Sequence, residues 1–287
     1  MGDSKGVDAQ STAPGAAPTK LKAALRHEAK AHGIAIKREL QVVVLRTDDG
    51  KYIKAFNQGE YVSSPMPLPP GTTRNIQSSG CGLCALTSYI HAAGLKPGGK
   101  DCTPATFNEY LTKWCNQHPN TIRKVYRESA GALEHESAEL SRAINDLAKI
   151  SGTPGYSEQK VKHKGGWKPG EEIEGLAQHL DSGKPAIIGV KHLNAKKQSR
   201  GHQVLVVGYG RIGDQIYYLI NDSGAQPNAA SDWMTGNQPS DRKTLDKYCA
   251  GPNRPKPTMR YLSIEYCYLL SGLEEKTKLK AANYSAK

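Results

Sequence analysis

The chain is poor in phenylalanine, with 2 Phe against 14 Tyr and 3 Trp in 287 residues. No aromatic–basic interleaving appears, so nucleic acid is not expected as a partner. No uninterrupted apolar run reaches the roughly 18 residues that a spanning helix needs, so no membrane span is expected. Met1 to Pro18 contain no apolar core of the kind a signal peptide carries. The expectation is a protein that is cytoplasmic in its producer or delivered by a non-classical route. A phosphate-binding GxxxxGK[ST] loop, a dinucleotide fingerprint after a strand and an internal repeat are all missing, and no cofactor is expected. Six cysteines are present. Cys81-x-x-Cys84 has no second C-x-x-C or H-x-x-x-H to complete four zinc ligands, so no metal is expected. A thioredoxin-like pair needs a strand just before it. Ser63 to Arg74 supplies prolines, glycine and threonines there instead.

What is present begins with charge. The formal net charge of +12 suits anionic surfaces such as membrane or cell wall, and equally a plain soluble basic surface of dispersed lysines. Residues 1–40 read as a disordered, basic N-terminal segment, with helical composition over Lys20 to His32. Residues 41–62 read as an accessory β-hairpin. Gln41 to Arg46 and Lys51 to Phe56 are β-rich runs around Asp48-Asp49-Gly50, and Asp-Gly is a strong hairpin signal. Residues 63–271 read as the catalytic body, opening with an extended proline-rich arm over Ser63 to Thr73. Residues 272–287 read as a charged tail.

Within the body, helical periodicity runs from Gly82 through Leu83, Leu86 and Ile90 to a stop at Gly94. Asp101 to Gln117 forms a second helix, with Thr103 as cap and Pro104 at the first helical position. Ser137 to Ile150 and Glu171 to Leu180 give two more. After Pro185 the period changes to that of strands: Ala186 to Val190, Val204 to Val207, Ile216 to Ile220 and Tyr261 to Leu270. Between the last two lies a long polar loop, Ser223 to Pro257. Helices first and an antiparallel sheet afterwards predict an α+β domain.

Cys81 sits between Gly80 and Gly82 at the start of a helix. Unpaired N–H groups and the macrodipole there favour a thiolate. A nucleophile needs a base, and His202 opens a strand after Gly201. Asp222 ends the neighbouring strand on the face of Ile216, Tyr218 and Ile220, where it could hold the imidazole. Asn221 could serve if the strand bulges, and Asn-Asp-Ser-Gly is also plain turn chemistry. Gln77 could join the Cys81 N–H in holding an oxyanion. Cys84, one turn on, is read as packing inward.

Gln77-x-x-x-Cys81-Gly82-x-Cys84-Ala85 before a helix resembles the nucleophile segment of papain-like cysteine peptidases. It looks most like the bacteriocin-processing peptidase domains that remove double-glycine leaders. The later blocks are similar to the same group: Gly183-Lys184-Pro185, Gly201-His202-x-Val204-x-Val206-x-Gly208-Tyr209, and Asn221-Asp222. The likeness covers roughly residues 75–225. Papain itself uses the second cysteine of C-G-x-C, which would select Cys84. The leader-peptidase pattern selects Cys81. Ser223 stands where that group has proline, and Gln77 is closer to the cysteine than in papain. The resemblance implies a papain-like fold, with the nucleophile helix packed on an antiparallel sheet. It also implies cysteine peptidase chemistry by Cys81, His202, Asp222 and Gln77 on a protein or peptide substrate. A signal-less, basic chain of this type suits a delivered bacterial effector or toxin with a cognate inhibitor or immunity protein as partner. The alternatives are a cell-wall amidase or endopeptidase of the same fold and a non-catalytic binding module.

Overall fold

The computed structural model describes residue 23 and residues 40–67, 74–127, 133–152, 155–163, 165–167, 171–193, 199–212, 215–223, 232–234, 261–273 and 279–286. The expected disordered start, all but one residue of the basic helix over 20–32, Cys249 and most of the 223–257 loop lie outside these residues.

Beyond the helical residue 23, the described residues form six α-helices: α1 (Ile76–Ser79), α2 (Cys81–Ala92), α3 (Pro104–Gln117), α4 (Ile122–Val125), α5 (Ala138–Ile150) and α6 (Leu176–Asp181). The Thr103 hydroxyl caps α3 by accepting from the Thr106 N–H, with Pro104 at the first position. Ser137 caps α5 through the Leu140 N–H. Gly94, at φ 66°, takes the left-handed conformation that follows the end of α2. The stretch from Glu171 becomes helical only at Leu176. Gly175 before it is left-handed, at φ 73°, which keeps the earlier residues out of the helix.

The strands are β1 (Leu40–Arg46), β2 (Ser157–Val161), β3 (Ala186–Leu193), β4 (Ser199–Ile212), β5 (Gln215–Asn221), β6 (Asp232–Met234), β7 (Tyr261–Ser271) and β8 (Lys280–Ala286). Every pairing among the described residues is antiparallel. The long strand β4 organises the sheet. Its first part pairs with β3, from Ser199 with Leu193 to Val206 with Ala186. Its second part pairs with β1, from Gly208 with Val44 to Ile212 with Leu40. Because β5 pairs with residues 205–212 of β4, β3 and β1 share the opposite edge of β4. A Cβ on Gly208 would collide with the Val43 carbonyl oxygen, so glycine permits the close approach of β1. Helix α2 is buried from Gly82 to Ile90, as befits a helix with apolar neighbours nearly all round. The mixed α+β class therefore stands.

Three expectations are corrected. The run at residues 51–56 does not return as a hairpin strand; only Tyr52 bridges back to Arg46. β1 is no accessory either. It lies between β4 and β8, with Val42 to Leu45 fully buried. The expected charged tail supplies β8 along that whole strand. The turn at Asp48-Asp49-Gly50 forms as read, but local turn chemistry does not choose a strand's partner. β2, too polar to be recognised, pairs with β7. Leu45→Ala should therefore cost roughly 2–5 kcal/mol of global stability, as for other buried leucines. Urea unfolding would show a lower midpoint at unchanged slope; an accessory hairpin would leave the midpoint where it is.

Candidate active site

The path into α2 is broken at one residue. Asn75 caps α1, accepting from the Ser78 N–H at 3.0 Å. Helical bonding then pauses: the Gly80 N–H reaches Ile76, and the next bond runs from the Cys84 N–H to Gly80. The carbonyl of Gln77, which an unbroken helix would give to Cys81, accepts instead from Gln58 Nε2 at 2.8 Å. Cys81 thus opens α2 with no intrahelical acceptor for its N–H. Its side chain is partly buried.

His202 lies on β4 and Asp222 one residue beyond β5. A bulge in the β4–β5 ladder between Val206 and Gly208 sets the register that ends with Leu205 opposite Asn221. The His202 Nε2–H donates to Asp222 Oδ1 at 2.7 Å, and both side chains are buried. With Nε2 committed to the carboxylate, Nδ1 is the ring nitrogen left for Cys81. Burial pushes the Cys81 thiol up, but the hydrogen bond and charge of His202 oppose it, together with main-chain hydrogen bonds from Gln203 and Gly82. The net result lies below an ordinary thiol. Burial likewise opposes charge on His202, yet Asp222, by charge and hydrogen bond, and Cys81 raise it to about 10. The two shifts favour a thiolate–imidazolium pair.

Cys84 is the opposite case. It is buried in the core, and burial first, then the neighbouring Cys81 and Glu60, hold its thiol well above the ordinary value. Cys102 and Cys267 are buried and raised to about 12 by burial alone. Among the described residues no cluster of three or more His, Cys, Asp or Glu is arranged to hold a metal ion.

The segment expected to be a hairpin arm instead braces the carboxylate. Asn221 Nδ2 donates to the Ile53 carbonyl at 3.0 Å, so Asn221 is a brace and not the partner of His202. Gln58 N–H donates to the Ser223 carbonyl at 3.0 Å, and Ser223 Oγ donates to Gln58 Oε1 at 3.2 Å. Gln58 therefore ties the Asp222 turn to the lead-in of α2 through Gln77. Sequence reading missed this residue, since a lone glutamine in a polar stretch carries no signal. Gln77 itself has an exposed side chain. The structure brings Cys81, His202 and Asp222 together and leaves the Gln77 amide facing solvent.

The neighbours of Gly82 leave no room for a side chain. A Cβ there would overlap Gln203 Oε1 and stand 3.4 Å from His135 Nε2. Gln203 Nε2 donates to the Tyr266 hydroxyl at 3.1 Å. The Tyr266 ring fills the place where a Gly189 side chain would be.

Residues 52–245 match the sequence model of the Peptidase_C39 like family. No curated protein matches the chain. The family match takes in more than half of the 287 residues, and the chain belongs to this family, a family of cysteine peptidases. The match starts within the bracing segment that carries Ile53 and Gln58, earlier than the motif blocks alone suggest.

The charge coupling has a measurable consequence. Iodoacetamide should alkylate Cys81 with a pH midpoint below the ordinary thiol value of 9.0, because the rate follows the thiolate and His202 stabilises it. In His202→Gln, burial acts without its counterweight, and the midpoint should move above 9.0. Alkylation rate against pH, read by mass spectrometry at Cys81, checks both.

Proposed function

We propose that this member of the Peptidase_C39 like family is a papain-like cysteine peptidase that cleaves a peptide bond in a protein or peptide substrate. Cys81 is the nucleophile, His202 the base and Asp222 the residue that orients it. The observation that supports this reading is the continuous contact from Cys81 through His202 to Asp222 at the start of a buried helix. Such a group has the order nucleophile, base, orienting carboxylate.

In the proposed reaction His202 holds the thiol proton and the Cys81 sulfur attacks the substrate carbonyl carbon. A C–S bond forms and the carbonyl oxygen becomes an oxyanion. The Cys81 N–H, free of an intrahelical acceptor, is one donor to it. The Gln77 amide is the proposed second, on the turn before Cys81 with its carbonyl fixed by Gln58. Imidazolium then gives its proton to the departing amine nitrogen as the C–N bond breaks. Water, deprotonated by His202, attacks the thioester, and the C–S bond breaks to release the acid and restore the thiol. General base help of this kind supplies about 10²–10⁴-fold, and one oxyanion donor about 10²–10³-fold.

The +12 charge favours a second reading, in which the same chemistry acts on peptide bonds of an anionic cell wall. Wild type and Cys81→Ala would be incubated with a proteome-derived peptide library and, separately, with purified peptidoglycan, and products read by mass spectrometry. New peptide termini with wild type alone are the expected result. Products from peptidoglycan alone would transfer the assignment to the second reading. Absence of any Cys81-dependent product would overturn both. On a cleaved peptide, Gln77→Ala should lower kcat by about 10²–10³-fold while leaving the Cys81 alkylation rate unchanged. An unchanged kcat would remove Gln77 from the oxyanion site.

A further inference from the structure

Helices α1 and α2 are one helix interrupted at a single residue. Residues 76–79 and 81–92 are helical on either side, and Gly80 between them stands at φ −89° and ψ 14°. Its ψ is the angle that departs far from the helical value of about −42°. The break needs glycine. A Cβ at Gly80 would lie 2.5 Å from the Ile76 carbonyl oxygen and 2.5 Å from Ile76 Cγ2.

An unbroken helix would close a bond from the Cys81 N–H to the Gln77 carbonyl, four residues back. Helical bonds before and after that point are made, from the Gly80 N–H to Ile76 at 2.7 Å and from the Cys84 N–H to Gly80 at 2.8 Å. The Cys81 bond is not made, and its N–H has no main-chain acceptor among the described residues. Gln58 stands in its place, with Nε2 donating to the Gln77 carbonyl at 2.8 Å. The other end of this amide fixes its orientation. Ser223 Oγ donates to Gln58 Oε1 at 3.2 Å, which leaves the NH₂ for Gln77. The main chain of Gln58 is held too. Its N–H donates to the Ser223 carbonyl at 3.0 Å, and it opens a 3-10 turn capped by Asn57, whose side chain accepts from the Gly59 N–H at 2.8 Å.

We propose that Gln58 is a positioning residue for the reaction: by holding the Gln77 carbonyl it keeps the helix broken at Gly80, and so keeps the Cys81 N–H available to the oxyanion. This deepens the peptidase reading, and its catalytic part rests on that reading. Without the Gln58 donor, rotation at Gly80 brings the Gln77 carbonyl back to the Cys81 N–H. Closing that bond satisfies two main-chain groups at once, so the break persists only with a competing donor. The oxyanion donor would then be spent as an ordinary helical N–H. Because the same side chain is tied to Ser223, the residue after Asp222, the oxyanion donor and the carboxylate turn share one anchor.

The test joins amide exchange to kinetics on the full chain. Gln58→Met keeps the length of the side chain but has no N–H to donate. Gln58→Glu keeps an oxygen for Ser223, loses only the donor to Gln77, and covers the case in which Gln58→Met does not fold. In both, hydrogen exchange at the Cys81 amide, followed by NMR, should slow by about two- to tenfold, the worth of one main-chain hydrogen bond gained. On a peptide that wild type cleaves in a Cys81-dependent way, kcat should fall by about 10²–10³-fold, as for one oxyanion donor lost, with KM little changed. The pH midpoint of Cys81 alkylation should stay at the wild-type value, because His202 and Asp222 keep their contact. A residue that merely braces the fold gives the opposite result: the loosened lead-in exchanges faster at Cys81, and the alkylation midpoint rises as kcat falls. Exchange at Cys81 that is unchanged or faster, or an unchanged kcat in both variants, overturns the proposal. A wild type without Cys81-dependent cleavage would sink the peptidase reading instead, and exchange at Cys81 would still decide whether Gln58 holds the break.

Discussion

The close approach of α2 to β4 at Gly82 is the constraint on which the site depends. The side chain of Gln203 occupies the space that any larger residue would need. Gln203 also gives a main-chain hydrogen bond to the Cys81 sulfur, and His202 precedes it in the same strand. One glycine therefore sets the separation between Cys81 and His202. A side chain at that point would push the first turn of the helix off the strand, and a displacement of about 1 Å is enough to cost a reacting pair two orders of magnitude.

His202 is held from the other side. His202 and Asp222 form a buried pair at 2.7 Å, and burying two charged groups carries a desolvation penalty of several kcal/mol per ion. Such a pair persists where the surrounding chain fixes its geometry. Ile53 and Gln58 do this by bonding Asn221 and Ser223, the residues on either side of Asp222. Gln58 reaches on to the carbonyl of Gln77, so one side chain joins the carboxylate turn to the helix lead-in. Moving the 51–58 segment would disturb both ends of the site together. The family match begins in this segment, which gives it a structural reason to belong to the peptidase body.

Local features were legible because their causes are local. The caps of α3 and α5 sit at Thr103 and Ser137 as their hydroxyls require, and β3, β4, β5 and β7 cover the apolar runs read as strands. Cys81 and Asp222 could be named because each lies at the end of an element, where a side chain is free to turn toward a partner; His202, expected to open a strand, stands inside β4, which begins at Ser199. Gly82 is plain in the sequence beside Cys81, but the Gln203 side chain that stands over it is not. Pairing was much less legible. β1 looks like half of a hairpin because its turn is strong, yet a long strand with an open edge outcompetes a short polar one. β2 and β8 are polar enough to pass for loop and tail, and only the edges of β7 and β1 make them strands. His135 and Glu158, joined by a hydrogen bond, are 23 positions apart in sequence, in polar surroundings with no periodicity to join them. Their meeting is a property of the assembled fold.

The thiol shows how the balance is struck. Burial is the largest influence on Cys81, and it favours the neutral form. A cysteine so placed without a partner would behave as Cys102 and Cys267 do, with thiols raised to about 12. The difference at Cys81 is made by His202, whose own charge is opposed by burial and sustained by Asp222. The carboxylate therefore acts on the sulfur without touching it: it keeps a proton on the imidazole, and the imidazolium keeps the proton off the thiol. Low surrounding polarity strengthens each step, because the attraction between neighbouring charges grows as water is excluded. The burial that penalises a lone thiolate is thus what makes the paired one effective. Cys84, one helical turn further on and outside the reach of His202, meets the penalty without the compensation.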